Sequence, residues 1–182
     1  NARAALPTPK ATEGPFYPPK PMRLSDTDND LVKVAGLVRQ AGGEIITLKD
    51  RLINREGAPL AGLRIEIWQC DTNGKYLHSG DNQAISHDKG FQGFGHDITA
   101  ENGSYSFRTI VPAKYPGRTP HIHVKILDRG HELLTTQFYL KDDPHNALDG
   151  LFRSMSKSQA ALVLMELRDG PDARQTTVDV VI

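Results

Sequence analysis

This chain of 182 residues has few cysteines, no excess of charge and no long apolar run, the features that most readily assign a protein to a broad class. It has one cysteine, Cys70, so it cannot form an internal disulfide, and the apolar residues around Cys70 predict a buried thiol. Lys and Arg total 22 and Asp and Glu total 22, so no basic field exists to hold nucleic acid. No apolar run reaches the roughly 18 residues of a membrane span. We therefore expect neither nucleic acid nor a membrane among its partners.

The first residue, Asn1, leaves the cellular location open. A start other than Met indicates a processed or trimmed chain, from which an export signal could have been removed. Both a cytoplasmic and an exported location (bacterial periplasm or secreted) fit this sequence.

The first 30 residues differ in composition from the rest of the chain. They hold six prolines, and proline fixes φ and lacks the N–H that a helix or a central strand needs. We predict an extended N-terminal arm over residues 1–30 that lies across a domain formed by residues 31–182. Phe16 and Tyr17 stand next to prolines and indicate that the arm packs on that domain.

After residue 30 the pattern is that of an all-β protein with little helix. Short segments with alternating apolar and polar residues are separated by turn sequences, which is typical of a β-sandwich or barrel. One helix is predicted at Ala147–Met155, and Gln159–Leu167 fits either a helix or a strand. The predicted strands are Leu31–Val38, Ile45–Ile53, Leu63–Gln69, Phe91–Thr99, Ser104–Ile110, His121–Leu127, Leu133–Leu140 and Thr176–Ile182.

Tyrosines and histidines form the most informative group of residues. His121 and His123 are two residues apart on a predicted strand, so their side chains share one face and can hold one metal ion. Tyr115 lies just before them, and Tyr76 follows another predicted strand. Imidazole suits iron, zinc or copper, whereas phenolate oxygen favours a hard ferric ion.

Two other interpretations remain open from the residues alone. Segments 57–68 and 103–107 look like strands of transthyretin-like β-sandwiches, many of which are binding modules without catalytic activity. Alternatively, the two histidines and a distant carboxylate, Asp88 or Asp97, could form a 2-His-1-carboxylate Fe(II) site.

From about Thr12 to its C-terminus, the chain resembles the intradiol ring-cleavage dioxygenases, in particular the protocatechuate 3,4-dioxygenase type. Five motifs occur in the family's order. They are Glu13-Gly14-Pro15-Phe16-Tyr17, Ile67-Trp68-Gln69-Cys70-Asp71 leading to Tyr76, Arg108-Thr109-Ile110-Val111-Pro112, Tyr115-Pro116 through His121-Ile122-His123, and Thr135-Thr136-Gln137-Phe138-Tyr139.

The resemblance implies a transthyretin-like β-sandwich that holds non-haem Fe(III). By position, Tyr76 and His121 match the family's equatorial ligands, and Tyr115 and His123 match the axial ones. Tyr115 would also take a proton from the substrate. Arg118 matches an arginine that stabilises charge on the bound ring.

Two further residues and the reaction follow from the same resemblance. Gln137 matches a glutamine that orients Arg118, and Tyr17 is a candidate contact to the substrate. The implied reaction cleaves a catechol (protocatechuate, catechol or hydroxyquinol type) with O2 between its two hydroxylated carbons, giving a muconate-type dicarboxylic acid.

The short segment between Tyr115 and His121 suggests an open pocket. A homo-oligomer, or pairing with a related subunit, is also implied.

Overall fold

The computed structural model describes residues 4–182, and β-strands make up most of its regular structure. Helix is confined to two 3-10 helices, Lys20–Met22 and Pro144–Leu148, and two short α-helices, α1 (Gly150–Arg153) and α2 (Lys157–Ala161). No helix over the described residues is long and apolar enough to cross a membrane. The strands are β1 (Ile45–Ile53), β2 (Arg64–Trp68), β3 (Phe94–Ile98), β4 (Ser104–Ile110), β5 (His121–Asp128), β6 (His131–Leu140), β7 (Leu164–Met165), β8 (Arg174–Thr177) and β9 (Val180–Val181).

The strands form two sheets. In the four-stranded sheet β1 is central, with β4 antiparallel on one side and β8 and β9 parallel to it on the other. The five-stranded sheet has the order β3-β2-β5-β6-β7; its first four strands are antiparallel, and β7 runs parallel to β6. The expectation of an all-β chain with little helix is confirmed.

The main hydrophobic core takes alternate residues from both sheets. Leu48 of β1 and Phe107 of β4 belong to the same buried cluster as Ile122 and Val124 of β5. Because successive strand side chains point to opposite faces, His121 and His123 face away from this core. The five-stranded sheet therefore has one apolar face toward the core and one polar face, which carries the two histidines.

The N-terminal arm follows the edge of β6 and then crosses that polar face, where Glu13 pairs with Lys125 and Tyr17 donates to Glu66. Ala11 donates its N–H to the carbonyl of Thr135 at 2.9 Å, and the Thr136 hydroxyl donates to the Pro9 carbonyl at 2.7 Å. The only helix or strand in residues 4–29 is the 3-10 helix at Lys20–Met22. This stretch is extended because its prolines leave few backbone donors, and hydrogen bonds to the sheet replace those it would make to itself.

The predicted strand Leu31–Val38 is wrong. Leu31 and Val32 are both fully buried, so the alternation that suggested a strand is not realised in the structure. The Leu37 N–H then closes a turn on the Val34 carbonyl at 3.1 Å, and Gly36 within it has φ +81°. Only an isolated bridge between Asp30 and Arg108 joins the start of this segment to the sheet.

Three other segments differ from their predictions in extent or contain two kinds of element. The helix predicted at Ala147–Met155 is divided between a 3-10 helix and α1, because Asp149 begins a new helix by capping the Phe152 N–H. Segment Gln159–Leu167 ends α2 and then forms β7. The last predicted strand, Thr176–Ile182, is two short strands, β8 and β9. Cys70 is buried, as expected.

Gly95 on β3 gives a test of how closely the arm approaches the sheet. A Cβ at this position would lie 2.5 Å from the Asp28 carbonyl oxygen and 2.6 Å from Leu31 Cδ1. We expect Gly95→Ala to lower the free energy of unfolding by about 2 kcal/mol or more, because backbone and core must shift to admit the methyl group.

Gly150→Ala is the matched control, since nothing lies within 4 Å of a Cβ there and the residue begins α1. Its unfolding free energy should stay equal or rise by roughly 0.5 kcal/mol. Urea unfolding of both variants measures the difference, and equal stability of the two would contradict the close packing at Gly95.

Candidate metal centre

Three donor atoms converge on the polar face of the five-stranded sheet. His121 Nε2 and His123 Nε2 are 3.0 Å apart, and the Tyr76 hydroxyl oxygen lies 3.1 Å from His123 Nε2 and 3.5 Å from His121 Nε2. Two ligands that each lie ~2.0–2.1 Å from one metal ion are separated by roughly 3.0–3.4 Å. The three atoms are thus spaced like ligands around a single ion.

Both histidines are held neutral. The pKa of His121 is lowered to about 4, mainly by burial and further by the positive charge of Arg118. Burial also places the pKa of His123 well below its usual range, with His121 adding to the effect. His121 Nδ1 donates to the Thr119 carbonyl at 2.7 Å, which leaves the lone pair on Nε2. A neutral imidazole with a free Nε2 lone pair is the form that binds metal.

The two phenols differ in burial. Tyr76 is buried, and burial followed by its neighbours Cys70 and Tyr115 raises its pKa well above the ordinary value. Tyr115 is half-buried; burial raises its pKa, while Arg118 acts to lower it. The ring of Tyr115 lies 5.6 Å from that of Tyr76 and 6.2 Å from that of His121. Both phenols stay protonated at neutral pH unless a nearby cation stabilises the phenolate.

Local structure explains how Tyr76 reaches the sheet. The Asp81 carboxylate accepts the Tyr76 backbone N–H at 2.9 Å and so anchors the loop that follows β2. Gly74 in this loop has φ +77°, and a Cβ there would lie 2.8 Å from the Lys114 carbonyl oxygen. Only glycine lets the Tyr76 loop approach the segment that carries Tyr115.

Aromatic residues surround the four side chains. Trp68 of β2 lies opposite His123 in the sheet register, and its ring stacks on the imidazole at 4.8 Å with an angle of 8°. Phe16 of the arm stacks on Tyr76 at 4.6 Å. A Cβ at Gly14 would lie 3.4 Å from His123 Cε1. Sequence reasoning did not assign Phe16 or Gly14 to the site, although both belong to a motif that carried the family resemblance.

Comparison with known proteins identifies the family. The sequence model of the family described as Dioxygenase matches residues 12–182. The chain belongs to the intradiol ring-cleavage dioxygenases. It is 34% identical over 138 residues to the protocatechuate 3,4-dioxygenase beta chain of Burkholderia cepacia, covering 71% of this chain and 59% of that one. It is 32% identical over 165 residues to an intradiol ring-cleavage dioxygenase of Aspergillus niger, covering 80% of this chain and 49% of that one.

A solved structure is similar over almost its whole length. It is the dioxygenase domain of a dioxygenase and carbohydrate-binding protein fusion from the cellulolytic bacterium Streptomyces sp. SirexAA-E. The TM-score is 0.74 at 35% identity, with 97% of each chain covered. The chain thus matches that isolated domain almost end to end, whereas it spans about half to three fifths of the two full-length relatives.

In this member of the family, Arg118 and Gln137 lie together beside the donor atoms. Arg118 Nη2 donates to Gln137 Oε1 at 2.6 Å, and Gln137 Nε2 donates to the Thr12 carbonyl of the arm at 3.0 Å. The Tyr139 hydroxyl also donates to Gln137 Oε1, at 3.0 Å. This arrangement fixes which way the amide of Gln137 points and therefore where the guanidinium lies.

Tyr17 packs against the same aromatic cluster as Tyr115, a cluster that includes Tyr76 and Trp68. Its hydroxyl donates to the buried Glu66 carboxylate at 2.7 Å, and its ring meets Trp68 edge-on at 4.8 Å. Burial, together with Glu66, raises its pKa to about 12. The Lys125 ammonium lies 4.2 Å from the centre of its ring. In this structure Tyr17 therefore helps to attach the arm to the sheet.

Sequence reasoning missed Asp149, a buried carboxylate. Its Oδ2 accepts from Arg118 Nε at 2.8 Å and from the Thr119 N–H at 2.9 Å, while Oδ1 accepts from the Phe152 N–H at 2.9 Å. Burial acts to raise the pKa of Asp149, but these donors, Arg118 foremost, hold it below the ordinary value. An Asp before Gly150 is a helix-cap signal; its pairing with Arg118 across 31 residues has no sequence signature.

The carboxylates considered for an Fe(II) site lie elsewhere. Asp88 accepts backbone N–H groups of Gly42 and Gly90 at 2.6 and 2.9 Å, and Asp97 accepts that of Ser106 at 2.9 Å. In the described part of the chain, no three residues among His, Cys, Asp and Glu are placed to hold a metal ion together. The 2-His-1-carboxylate alternative is therefore not supported.

The Arg118–Asp149 pair leads to a stability prediction. We expect Asp149→Asn to lower the free energy of unfolding by about 3 kcal/mol, because it leaves the largely buried guanidinium without its counter-charge. Arg118→Gln and the double variant complete a double-mutant cycle measured by urea unfolding. The double variant should be more stable than the sum of the two single effects predicts. Simple additivity would show that the pair contributes no coupling.

Proposed function

We propose that the protein is a non-haem Fe(III)-dependent intradiol dioxygenase. It would cleave a catechol with O2 between the two hydroxylated carbons and produce a muconate-type dicarboxylic acid. The observation that supports this most directly is the convergence of Tyr76, His121 and His123 within 3.0–3.5 Å, with Tyr115 beside them. Family membership and the similarity to a dioxygenase domain point to the same reaction.

The chemistry of the donor set favours ferric iron. Tyr76, Tyr115, His121 and His123 would hold it, two as phenolates and two as neutral imidazoles. Phenolate is a hard anionic ligand that suits Fe(III), and two of them offset much of its charge. Ferric iron, when bound, supplies a Lewis acid that takes up both oxygens of a catechol and activates the ring toward O2.

The difference in burial supports different roles for the two phenols. Tyr76 is enclosed by Phe16, Trp68 and the histidines, so it has no room to leave its position. Tyr115 is half-buried and sits in the turn that Arg118 closes by donating its N–H to the Tyr115 carbonyl at 3.1 Å. Tyr115 is therefore the phenol that can move aside and accept a proton from an incoming catechol.

Arg118 would act electrostatically. Its guanidinium is permanently charged and is held from two sides, by Asp149 and by Gln137. A charge fixed in this way needs no reorganisation when negative charge develops on the bound ring. Gln137 acts through Arg118, since its amide oxygen is the acceptor that orients the guanidinium. In a direct role, Tyr17 would contact the substrate through its ring, or accept a hydrogen bond at its oxygen while it donates to Glu66.

The finer features of the architecture belong to the same proposal. The two sheets and their shared core favour a transthyretin-like β-sandwich over residues 31–182, with residues 4–30 as an arm. The first three residues of the predicted arm lie outside the described part of the chain. The substrates would be a catechol and O2. The similarity to a chain called beta in Burkholderia cepacia supports assembly with further copies or with a related subunit.

The visible spectrum tests the proposed iron centre. Protein loaded with ferric iron should be red-brown, because phenolate-to-Fe(III) charge transfer absorbs in the visible, and a strong chelator should remove the colour. Tyr76→Phe and Tyr115→Phe should each shift or weaken the band. Tyr105→Phe, which removes a phenol from the main core instead, should leave it in place.

Activity separates the two functions that the sequence left open. Intradiol cleavage of catechol, protocatechuate or hydroxyquinol should consume one O2 per ring and yield a muconate-type acid. Extradiol products would overturn the mechanism. A colourless protein that retains no iron would favour the non-catalytic transthyretin-like binding module.

A further inference from the structure

The two histidines of the candidate metal centre differ in how their rings are held. His121 Nδ1 donates to the Thr119 carbonyl at 2.7 Å, and this bond fixes the plane of the imidazole. His123 Nδ1 is buried, yet no protein group in residues 4–182 makes a hydrogen bond with it. A histidine that binds a metal through Nε2 normally donates its other N–H to an acceptor, which sets the orientation of the ring. Another contact must therefore orient His123.

The indole of Trp68 makes that contact. Its ring lies 4.8 Å from the His123 imidazole with an angle of 8° between the planes, which is a stacked arrangement. The imidazole can turn about its Cβ–Cγ bond, and such a turn would drive its edge into the indole. The electron-rich face of the indole also favours the positive charge that a metal ion places on a bound imidazole. The stack therefore restrains the ring and suits it to binding a metal.

Trp68 is itself held firmly. It is fully buried, and β2 places it opposite His123 on β5 and opposite Phe94 on β3. Tyr17 of the arm meets the indole edge-on at 4.8 Å. A side chain packed between two neighbouring strands and against the arm keeps its plane, so it provides a fixed surface for the adjacent imidazole.

The indole N–H shows which part of Trp68 matters. Trp68 Nε1 is buried and has no hydrogen-bond acceptor within the described residues 4–182. A buried tryptophan usually pairs this group, and leaving it unpaired costs free energy. Trp68 thus makes no hydrogen bond that would explain a tryptophan here, and what it supplies is a flat aromatic face. Phenylalanine keeps such a face and lacks the N–H, which makes it the matched replacement.

We propose that Trp68 is a positioning residue of the metal centre, whose indole face holds the His123 imidazole in the plane that directs Nε2 toward the metal ion. With the ring in this plane, His123 Nε2 lies 3.0 Å from His121 Nε2 and 3.1 Å from the Tyr76 hydroxyl oxygen. Trp68 does for His123 what the Thr119 carbonyl does for His121. The inference rests on the proposed function and adds a residue that orients a ligand without being one.

The affinity for ferric iron, measured by competition with a chelator, tests this role in the loaded protein. Trp68→Leu removes the aromatic face, and the affinity should fall about ten-fold, the lower end of the loss when a metal-bound histidine is deprived of its orienting partner. The EPR signal of the ferric ion should also broaden, because the imidazole takes several orientations. Trp68→Phe keeps a face for stacking and should restore the affinity to within about two-fold of wild type.

Phe94→Leu is the matched control. Phe94 belongs to the same buried cluster, and it lies on the far side of Trp68 from His123 because the strand order is β3-β2-β5. The control should lower the free energy of unfolding in urea and leave the iron affinity unchanged. Equal losses of affinity in Phe94→Leu and Trp68→Leu would overturn the inference, since both would then result from a general loosening of the cluster.

NMR of the metal-free protein separates this inference from the proposed function. The ring signals of His123, assigned by their loss in His123→Gln, should form one narrow set in wild type and in Trp68→Phe, and should broaden or split in Trp68→Leu. Trp68→Met, whose flexible side chain fills irregular space, gives the same comparison if the leucine variant does not fold. Signals that stay single and narrow in these variants would overturn the inference even in a protein that binds iron. A wild-type protein that binds no ferric iron would instead overturn the proposed function, while the NMR comparison still decides what orients His123.

Discussion

The candidate metal centre depends on strand β5, whose alternate residues face the hydrophobic core and the polar face of the sheet. On β5, Ile122 and Val124 enter the core between the sheets, while His121 and His123 point to the opposite face. A shift of the register by one residue would bury the imidazoles in the core and expose the isoleucine and valine. The packing of the core therefore fixes the position of the histidines, and the same contacts that stabilise the fold align the two Nε2 atoms.

The N-terminal arm provides hydrogen-bond partners for polar side chains that are buried on the polar face of the sheet. Without these partners, burying the side chains would cost free energy. Lys125 and Glu66 are both almost fully buried on this face, and each has a partner from the arm: Lys125 pairs with Glu13, and Glu66 accepts from Tyr17. The arm thus supplies both the apolar cover over the donor atoms and the charges that the sheet needs. It is part of the site's construction even though most of its residues contact no donor atom.

The sequence predicted which side chains converge better than it predicted the residues that support them, for a physical reason. His121 and His123 share a strand, so their relation follows from the period of two, and Tyr115 lies close enough in the chain to follow. Tyr76 was matched to a ligand position through the family motif, because no periodic rule links a loop after β2 to β5. Asp149 could not be found, since pairs between distant segments have no local signature. The error at Leu31–Val38 has a related origin: two consecutive buried residues and a turn resemble a strand until their burial is known.

The hydrogen bonds that attach the arm to β6 join residues far apart in the sequence, and this affects the order in which parts of the protein fold. The bonds from Gln137 to Thr12 and from Thr136 to Pro9 span 125 and 127 residues, whereas the hairpin of β5 and β6 forms from adjacent segments. Contacts between such distant segments require the closure of long loops and form late during folding. We therefore expect the sheet that carries the histidines to form before the arm covers it. During synthesis the arm emerges before β6, so it can take its place only after the strand that receives it has been made.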